Sequence, residues 1–171
     1  MGKRTLKRRR RENRTDYKTR RLLLLSEIPR VVVRMTNKYF ILQAVESKEA
    51  QDKVMVTITS KELLKNGWDI KAGGSLKSIP AGYLIGLLFA KKLKGGKYIV
   101  DLGMARTIAG SRVFAVVNGL VDGGLDISAN KSVFPSKERL NGEHLKNELK
   151  DMIAKVLKNV LSSSVKKEKV K

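Results

Sequence analysis

Basic residues crowd the first 21 positions of this chain, and this run limits what the segment can fold into. They are Lys3, Arg4, Lys7, Arg8, Arg9, Arg10, Arg11, Arg14, Lys18, Arg20 and Arg21. Only Glu12 and Asp16 oppose them, and almost no apolar side chain interrupts the run before Leu22. Because such a segment has no apolar face to bury, we expect residues 1–25 to form an arm that stays mobile until it meets an anion.

The charge of the whole chain indicates a polyanionic partner. Among the 171 residues, 37 are Lys or Arg and 16 are Asp or Glu, so the formal net charge is +21. Phosphate backbones neutralise such charge and release counterions on binding. Arginine predominates in the arm, and its planar fork suits phosphate contacts and stacking on bases. We therefore predict RNA-binding roles for the basic arm residues, in preference to a merely solubilising tail. Tyr17 either stacks on a base or ties the arm to the core.

Other classes of protein are disfavoured by what the sequence lacks. The most apolar stretch, residues 79–90, is shorter than the roughly 20 residues that span a bilayer. We find no basic amphipathic helix with aromatic anchors, no lipidation motif and no signal-peptide pattern. Cysteine is absent and His144 is the single histidine, which excludes disulfides, thiol chemistry and Cys- or His-rich metal sites. We expect a cytoplasmic protein without cofactor, metal or small-molecule substrate.

Residues 26–130 have the pattern of one α/β core domain. Three β-rich runs with short links predict an antiparallel meander over residues 30–36, 39–45 and 52–59. In the third run, Val54, Val56 and Ile58 alternate onto one predicted face. A short helical stretch, a long helix, a fourth strand and a further helix are predicted over residues 60–64, 78–93, 97–102 and 112–121. This order predicts a mixed sheet with helices packed on it and a right-handed crossover.

Two helices carry patterns that predict their contacts. Gly82, Gly86 and Ala90 form a smooth stripe on the long helix, and we favour the sheet over a partner or RNA as its neighbour. Residues 131–161 are predicted to be an extension whose last helix begins at Asn141 or Gly142 and docks on the domain or on a neighbouring protein. Its apolar stripe comprises Leu145, Leu149, Met152, Ile153, Val156, Leu157 and Val160, with Lys146, Lys150, Lys155 and Lys158 outside it. Residues 162–171 are expected to be a disordered tail.

Enzyme motifs are not found in the sequence. No phosphate-loop, dinucleotide-binding or nucleophile-elbow pattern is present. The strongest enzymatic alternative is a ribonuclease-H-like nuclease, whose sheet begins with a similar meander. Two-metal hydrolysis needs clustered carboxylates, yet the first strand has none, and Glu46, Asp52 and Asp101 fall at apparent strand ends. We therefore expect ribonuclease-H-like topology without the active site. A nonspecific polyanion binder is the third class.

Polar residues on the strands and at two turns are further candidates for RNA contact. Asn37 and Lys38 lie at a hairpin tip that can enter a groove closed to a flat sheet. Arg30, Arg34 and Gln43 are predicted to present one polar strand face to RNA, or else to be ordinary exposed strand residues. The helix start at Ser111 and Arg112 either holds a phosphate on free amides or is a simple N-cap.

The hairpin and several longer segments resemble the ribosomal protein L-eighteen family, whose eukaryotic counterpart is called L-five. In the hairpin, Arg34, Thr36, Asn37, Lys38 and Gln43 match that family's pattern residue by residue. The wider likeness is to its archaeal and eukaryotic branch. It covers RRRRENRTDYKTRR (8–21), GW (67–68), AGYLIGLL (81–88), GSRVFA (110–115) and VFPSKERLNGEH (133–144).

This resemblance implies a structural ribosomal role and no enzymatic activity. Members of the family bind 5S ribosomal RNA and help seat it in the central protuberance of the large subunit. The resemblance also implies contacts with 23S ribosomal RNA and with neighbouring proteins, notably ribosomal protein L-five in the archaeal and bacterial sense. The expected location is the ribosome of the cytoplasm.

Overall fold

Four strands and six α-helices form the part of the chain that the computed structural model describes, which is residues 5–49, 51–69, 75–93 and 95–162. The strands are β1 (Arg30–Met35), β2 (Phe40–Lys48), β3 (Gln51–Thr59) and β4 (Ile99–Asp101). The helices are α1 (Arg8–Arg11), α2 (Tyr17–Leu25), α3 (Ile79–Leu93), α4 (Arg112–Asp122), α5 (Lys137–Asn141) and α6 (Asn147–Ser162). Two 3-10 helices span Ser60–Asn66 and Lys131–Val133. The predicted α/β class is confirmed.

The sheet has the mixed topology that the sequence predicts. Its strand order is β3-β2-β1-β4, with β1–β2 and β2–β3 antiparallel and β4 parallel to β1. Strand β4 is shorter than predicted, because Lys97 forms only an isolated bridge with Asp126 and the regular pairing ends at Asp101. The core face of the sheet carries Val31, Val33, Phe40 and Leu42, all fully buried.

A β-bulge in β3 overturns one predicted face. Ala44 pairs with Val56 whereas the next residue, Val45, pairs with Val54, so Met55 has no partner on β2. Cross-strand partners share a face and adjacent residues do not. Val54 therefore lies on the opposite face from Val56 and Ile58, and it is about half exposed. The prediction that the three residues share one face is wrong, because the extra residue reverses the alternation.

The long helix α3 is the centre of the core, and its small-residue stripe packs mainly on α4. Ser78 caps the start of α3, since the Ser78 hydroxyl accepts from the Ala81 amide at 3.3 Å. A methyl group at Gly86 would collide with the carbonyl oxygen of Val116, and one at Gly119 would collide with that of Tyr83. The stripe was expected to face the sheet, but α4 approaches it backbone to backbone, and Gly82 of the stripe also lies beside the sheet, near the Phe40 ring.

The arm contains two helices where the sequence indicated none. Asp16 starts α2 by accepting from the Lys18 amide at 3.1 Å and from the Thr19 hydroxyl at 2.9 Å. No residue of α1 or α2 is buried, in agreement with the expectation that this segment has no apolar face to bury. Lys3 and Arg4 lie outside the described residues, as do residues 163–171 of the predicted tail.

The last helix begins later than predicted. Residues 137–141 form α5, which ends at Gly142 with φ 74°, and α6 begins only at Asn147. The predicted apolar stripe of α6 docks on the domain through the buried side chains of Met152, Ile153, Val156 and Val160. This confirms the first of the two predicted alternatives, docking on the domain or on a neighbouring protein. Within the described ranges, no helix has both the length and the apolar content to cross a bilayer.

Candidate nucleic-acid interface

The turn between β1 and β2 exposes the two hairpin-tip residues that the sequence singles out. Asn37 and Lys38 are both exposed. The Thr36 hydroxyl shapes the turn by donating to the Tyr39 carbonyl at 2.7 Å and accepting from the Tyr39 amide at 3.0 Å and the Lys38 amide at 3.3 Å. Thr36 therefore stabilises the turn, and the turn exposes the side chains of Asn37 and Lys38 as a polar tip.

Lys61 adds a positive charge beside this turn that sequence reasoning missed. Its Nζ lies 4.7 Å from the centroid of the Tyr39 ring, within cation–π range. Lys61 follows β3, and the pairing of Ile41 with Thr59 brings the end of β3 back to the hairpin. The predicted meander already implied this return, so the register of β2 against β3 was the signal that could have located Lys61.

Most basic side chains of the described arm are exposed. The exposed ones are Lys7, Arg8, Arg9, Arg11, Arg14, Lys18 and Arg21. Arg10 and Arg20 are half-buried, and Arg10 approaches the sulfur of Met104 at 3.7 Å. Glu12 pairs with Arg14 at 3.4 Å and more loosely with Arg8 at 3.8 Å. Glu12 and Asp16 are the two carboxylates among the basic side chains of the described arm, so this surface is strongly positive.

Tyr17 lies at the start of α2, with Lys7 over its ring at 4.8 Å from the centroid. Its side chain stands beside Arg20, Arg21, Leu24 and Leu25 along a shallow groove of the arm itself. The ring therefore makes its described contacts within the arm rather than with the core. Base stacking by Tyr17 stays a prediction.

Arg30 does not stand on an open strand face, contrary to the sequence prediction. It lies on the side of the sheet opposite to the core but is only 3% exposed, and it pairs with Asp52 at 2.7 Å. Asp52 also accepts from Arg20 of α2 at 3.1 Å and from the Ser47 hydroxyl at 2.7 Å. The arm thus approaches this outer face and leaves Arg30 little surface to present to RNA.

The pKa of Asp52 reflects this cluster. Burial alone raises the pKa, but hydrogen bonds from Ser47 and Arg20 and the charges of Arg30 and Arg20 outweigh burial and lower the pKa below its ordinary value. Asp52 is therefore ionised at neutral pH and compensates the buried guanidinium. Asp52, which the sequence placed at a strand end, thus serves as the partner of two arginines.

Arg34 and Gln43 are also engaged on the outer face. The Arg34 guanidinium donates to the Asp101 carbonyl at 2.7 Å and to the Asp101 carboxylate at 3.1 Å. Gln43 is half-buried and donates to the Thr57 hydroxyl at 3.3 Å. Both side chains have partners within the sheet, so their predicted contact with RNA would involve only their remaining polar atoms.

The start of α4 has the backbone of an N-cap without its side-chain bond. Ser111 has extended backbone angles, yet its Oγ is shielded from solvent and makes no hydrogen bond to the described residues. Arg112, the next residue, is exposed. The first amides of α4 are therefore not capped by Ser111, and phosphate binding there stays a prediction.

Two of the three acids at the strand ends are engaged by arginines. Asp52 and Asp101 each pair with an arginine. In the part of the chain that the structure describes, no group of three or more His, Cys, Asp or Glu side chains is placed to hold a metal ion. His144 is exposed in the turn before α6.

A mixed α/β domain with an exposed arginine-rich arm and a basic hairpin tip has the features of a nucleic-acid-binding protein. Comparison with known proteins identifies the family within this class. Residues 3–97 match the family model described as "Ribosomal large subunit proteins 60S L5, and 50S L18". The chain belongs to this family.

Several archaeal relatives support the assignment over nearly the whole chain. "Large ribosomal subunit protein uL18" of Methanoregula boonei is 43% identical over 168 residues, which is 95% of this chain and 94% of the relative. The protein of the same name from Methanoculleus marisnigri is 41% identical over the same shares. That of Caldivirga maquilingensis is 44% identical over 81% of this chain and 67% of the relative. The protein is thus a structural, non-enzymatic constituent of the large ribosomal subunit. That subunit is a ribonucleoprotein that functions in translation.

Proposed function

We propose that the protein binds 5S ribosomal RNA and helps anchor it to 23S ribosomal RNA in the central protuberance. One structural observation carries the proposal most strongly: the arm lies against β1, the strand that leads into the hairpin. Arg9 and Arg14 of the arm line the same cavity as Arg34, which lies just before the hairpin turn. A single RNA molecule can therefore contact arm and hairpin together.

The two segments suit different parts of folded RNA. Arginine forks of the arm bind phosphates and release counterions, which makes the affinity strongly dependent on salt. The Asn37 and Lys38 side chains protrude from a narrow turn and can reach base edges or 2′-hydroxyl groups in a groove. Structured RNA is recognised largely through its shape, its backbone and its 2′-hydroxyls. The arm supplies affinity and the hairpin supplies discrimination.

Protein neighbours form the second part of the proposal. The resemblance implies contact with ribosomal protein L-five in the archaeal and bacterial sense. The exposed residues available for such contacts include large apolar side chains on the outside of α2, where Leu22 is 60% and Leu25 is 68% exposed. We therefore propose that 5S ribosomal RNA, 23S ribosomal RNA and this protein neighbour share the arm side of the molecule.

A competition titration tests the RNA assignment. The full chain is titrated with 5S ribosomal RNA at several salt concentrations, with transfer RNA and random duplex RNA as competitors. We expect a preference for 5S ribosomal RNA that persists in the presence of both competitors. Equal binding to all three RNAs, with a steep salt dependence, would identify a general polyanion binder and contradict the proposal.

A further inference from the structure

A small cavity between the arm and the sheet is rich in arginine. Its volume is about 150 Å³, well above the roughly 10–15 Å³ that one water molecule requires. Its charged lining residues are Arg9, Arg14 and Arg20 from the arm, Arg34 from β1, and Asp16 and Asp101. Four guanidinium groups face two carboxylates, so the lining has an excess of positive charge.

Several guanidinium nitrogens of the arm arginines in this cavity donate no hydrogen bond to the described residues. The Nε of Arg9 donates to the Thr15 hydroxyl at 3.0 Å, and Nη2 of Arg20 donates to Asp52 at 3.1 Å. Among the described residues, the other guanidinium nitrogens of Arg9 and Arg20 have no hydrogen-bond acceptor. The Arg14 guanidinium pairs with Glu12 through its Nε, at 3.4 Å. The terminal nitrogens of Arg9 and Arg14 are thus available to an anion.

The two carboxylates of the lining already have their donors. Asp101 accepts from Arg34 at 3.1 Å and from the Gly103 amide at 2.8 Å. Asp16 accepts from the Lys18 amide and the Thr19 hydroxyl at the start of α2. Because these carboxylates are engaged, the unsatisfied groups of the cavity are donors, which favours an anion over a cation as its occupant.

We propose that this cavity binds one phosphate group of the RNA backbone and clamps it between the arm and β1. The proposal rests on the proposed function and refines it. Bidentate forks of Arg9 and Arg14 match the geometry of a phosphate. No residue of α1 or α2 is fully buried, so polar contacts such as Arg20–Asp52 help to hold the arm on the sheet. A phosphate shared by arm and strand ties them further, so phosphate binding and arm docking reinforce each other.

Inorganic phosphate is the first probe. It is titrated into the full chain at constant ionic strength, and the NMR signals of the Gly103 amide and the arginine Nε–H groups are followed. We expect a saturable shift. The double variant Arg9→Gln, Arg14→Gln should bind phosphate at least about tenfold more weakly, as expected when hydrogen bonds to a charged group are removed. The control Arg11→Gln, Arg21→Gln removes the same charge from exposed positions outside the cavity and should keep the saturable shift.

The opposite pattern would overturn the inference. Shifts that grow without saturation, or that change equally in both double variants, mean that phosphate only screens the arm. Circular dichroism spectra and melting curves of the variants verify that the fold is intact, which is expected because the four substituted side chains are exposed.

5S ribosomal RNA is the second probe and separates this inference from the proposed function. The Arg9→Gln, Arg14→Gln variant should reduce the log–log salt slope by about 0.7–0.9 for each phosphate group that it no longer neutralises. Preference for 5S ribosomal RNA without saturable phosphate binding would refute the cavity alone. Saturable phosphate binding without any preference for 5S ribosomal RNA would refute the assignment to that RNA and point to free phosphate or another polyanion.

Discussion

Arg30 and Asp52 form an ion pair at 2.7 Å on the outer face of the sheet, and Arg30 is only 3% exposed. The same carboxylate also accepts from Arg20 of the arm and from Ser47. Asp52 therefore both compensates the buried charge of Arg30 in β1 and holds α2 against the sheet through Arg20. Arm position and sheet stability are coupled through this one side chain.

Asp52→Asn should destabilise the fold. It removes the charge that faces Arg30, whose Nε already lacks a hydrogen-bond partner among the described residues. Breaking a fully buried pair costs roughly 3–5 kcal/mol, and we expect about 2–4 kcal/mol here because Asp52 is partly exposed. Denaturant unfolding measures the change. The control Asp151→Asn removes an exposed carboxylate from α6 and should change the free energy of unfolding by less than about 0.5 kcal/mol; equal effects of the two substitutions would contradict this role of Asp52.

The same pair predicts how stability depends on pH. The pKa of Asp52 is lower in the folded state than its ordinary value. A carboxyl group of this kind contributes stability that is complete above about pH 4 and is lost as the pH falls through the folded-state pKa. The difference in unfolding free energy between the natural protein and Asp52→Asn should therefore shrink on acidification below about pH 4. A difference that stays constant with pH would show that the charge of Asp52 is not what stabilises the fold.

Gly86 lies where α3 and α4 touch backbone to backbone. In Gly86→Ala the new methyl group would collide with the Val116 carbonyl oxygen, which a side-chain rotation cannot relieve. We expect a net loss of about 1–3 kcal/mol, after the gain in helix propensity is included. Gly82→Ala is the matched comparison, since its methyl group would meet the Phe40 ring at 3.3 Å and the Arg112 carbonyl at 3.2 Å. Thermal melting should rank Gly86→Ala as the more damaging change; the reverse order would contradict this packing.

The elements that the sequence predicts well are those with local signals. The three β-rich runs with their short links identified the strands of the meander, because strand composition and turn signals depend on neighbouring residues. The shift of face at Met55 could not be predicted, since a bulge is defined by the partner strand. The start of α6 was misplaced because Asn141 and Gly142 end one helix instead of beginning the next.

The sequence predicted most of the residues that belong to the candidate site but not how the fold arranges them in space. The exposed arm and the hairpin tip at Asn37 and Lys38 follow from charge and turn patterns. The burial of Arg30 depends on Asp52, which is distant in sequence and becomes a neighbour only through the pairing of β3 with β2. The approach of Arg9 to Arg34 likewise requires the arm to lie on the sheet, and no local pattern encodes that.

Removal of residues 3–21 should weaken the binding of 5S ribosomal RNA and make it less dependent on salt. Each phosphate group that the arm no longer neutralises changes the log–log salt slope by about 0.7–0.9. Filter binding at several salt concentrations gives the slope. The control Lys155→Gln, Lys158→Gln removes two exposed charges from α6 and should leave the slope close to that of the intact chain. An unchanged slope after the deletion would show that the arm does not contact phosphate.

The hairpin tip should contribute more to the preference for 5S ribosomal RNA than to the charge-dependent affinity for RNA in general. We expect Asn37→Ala, Lys38→Ala to lower the affinity for 5S ribosomal RNA by about tenfold, the equivalent of one hydrogen bond to a charged group. The loss on random duplex RNA should be smaller, since a duplex offers phosphates but not the shaped site. Because Thr36 holds the turn through its own hydrogen bonds with Tyr39, the fold should be unaffected. The control Lys48→Ala removes an exposed lysine from the far end of β2 and should affect both RNAs slightly and equally. Equal losses on the two RNAs for the hairpin variant would mean that the tip reads only charge.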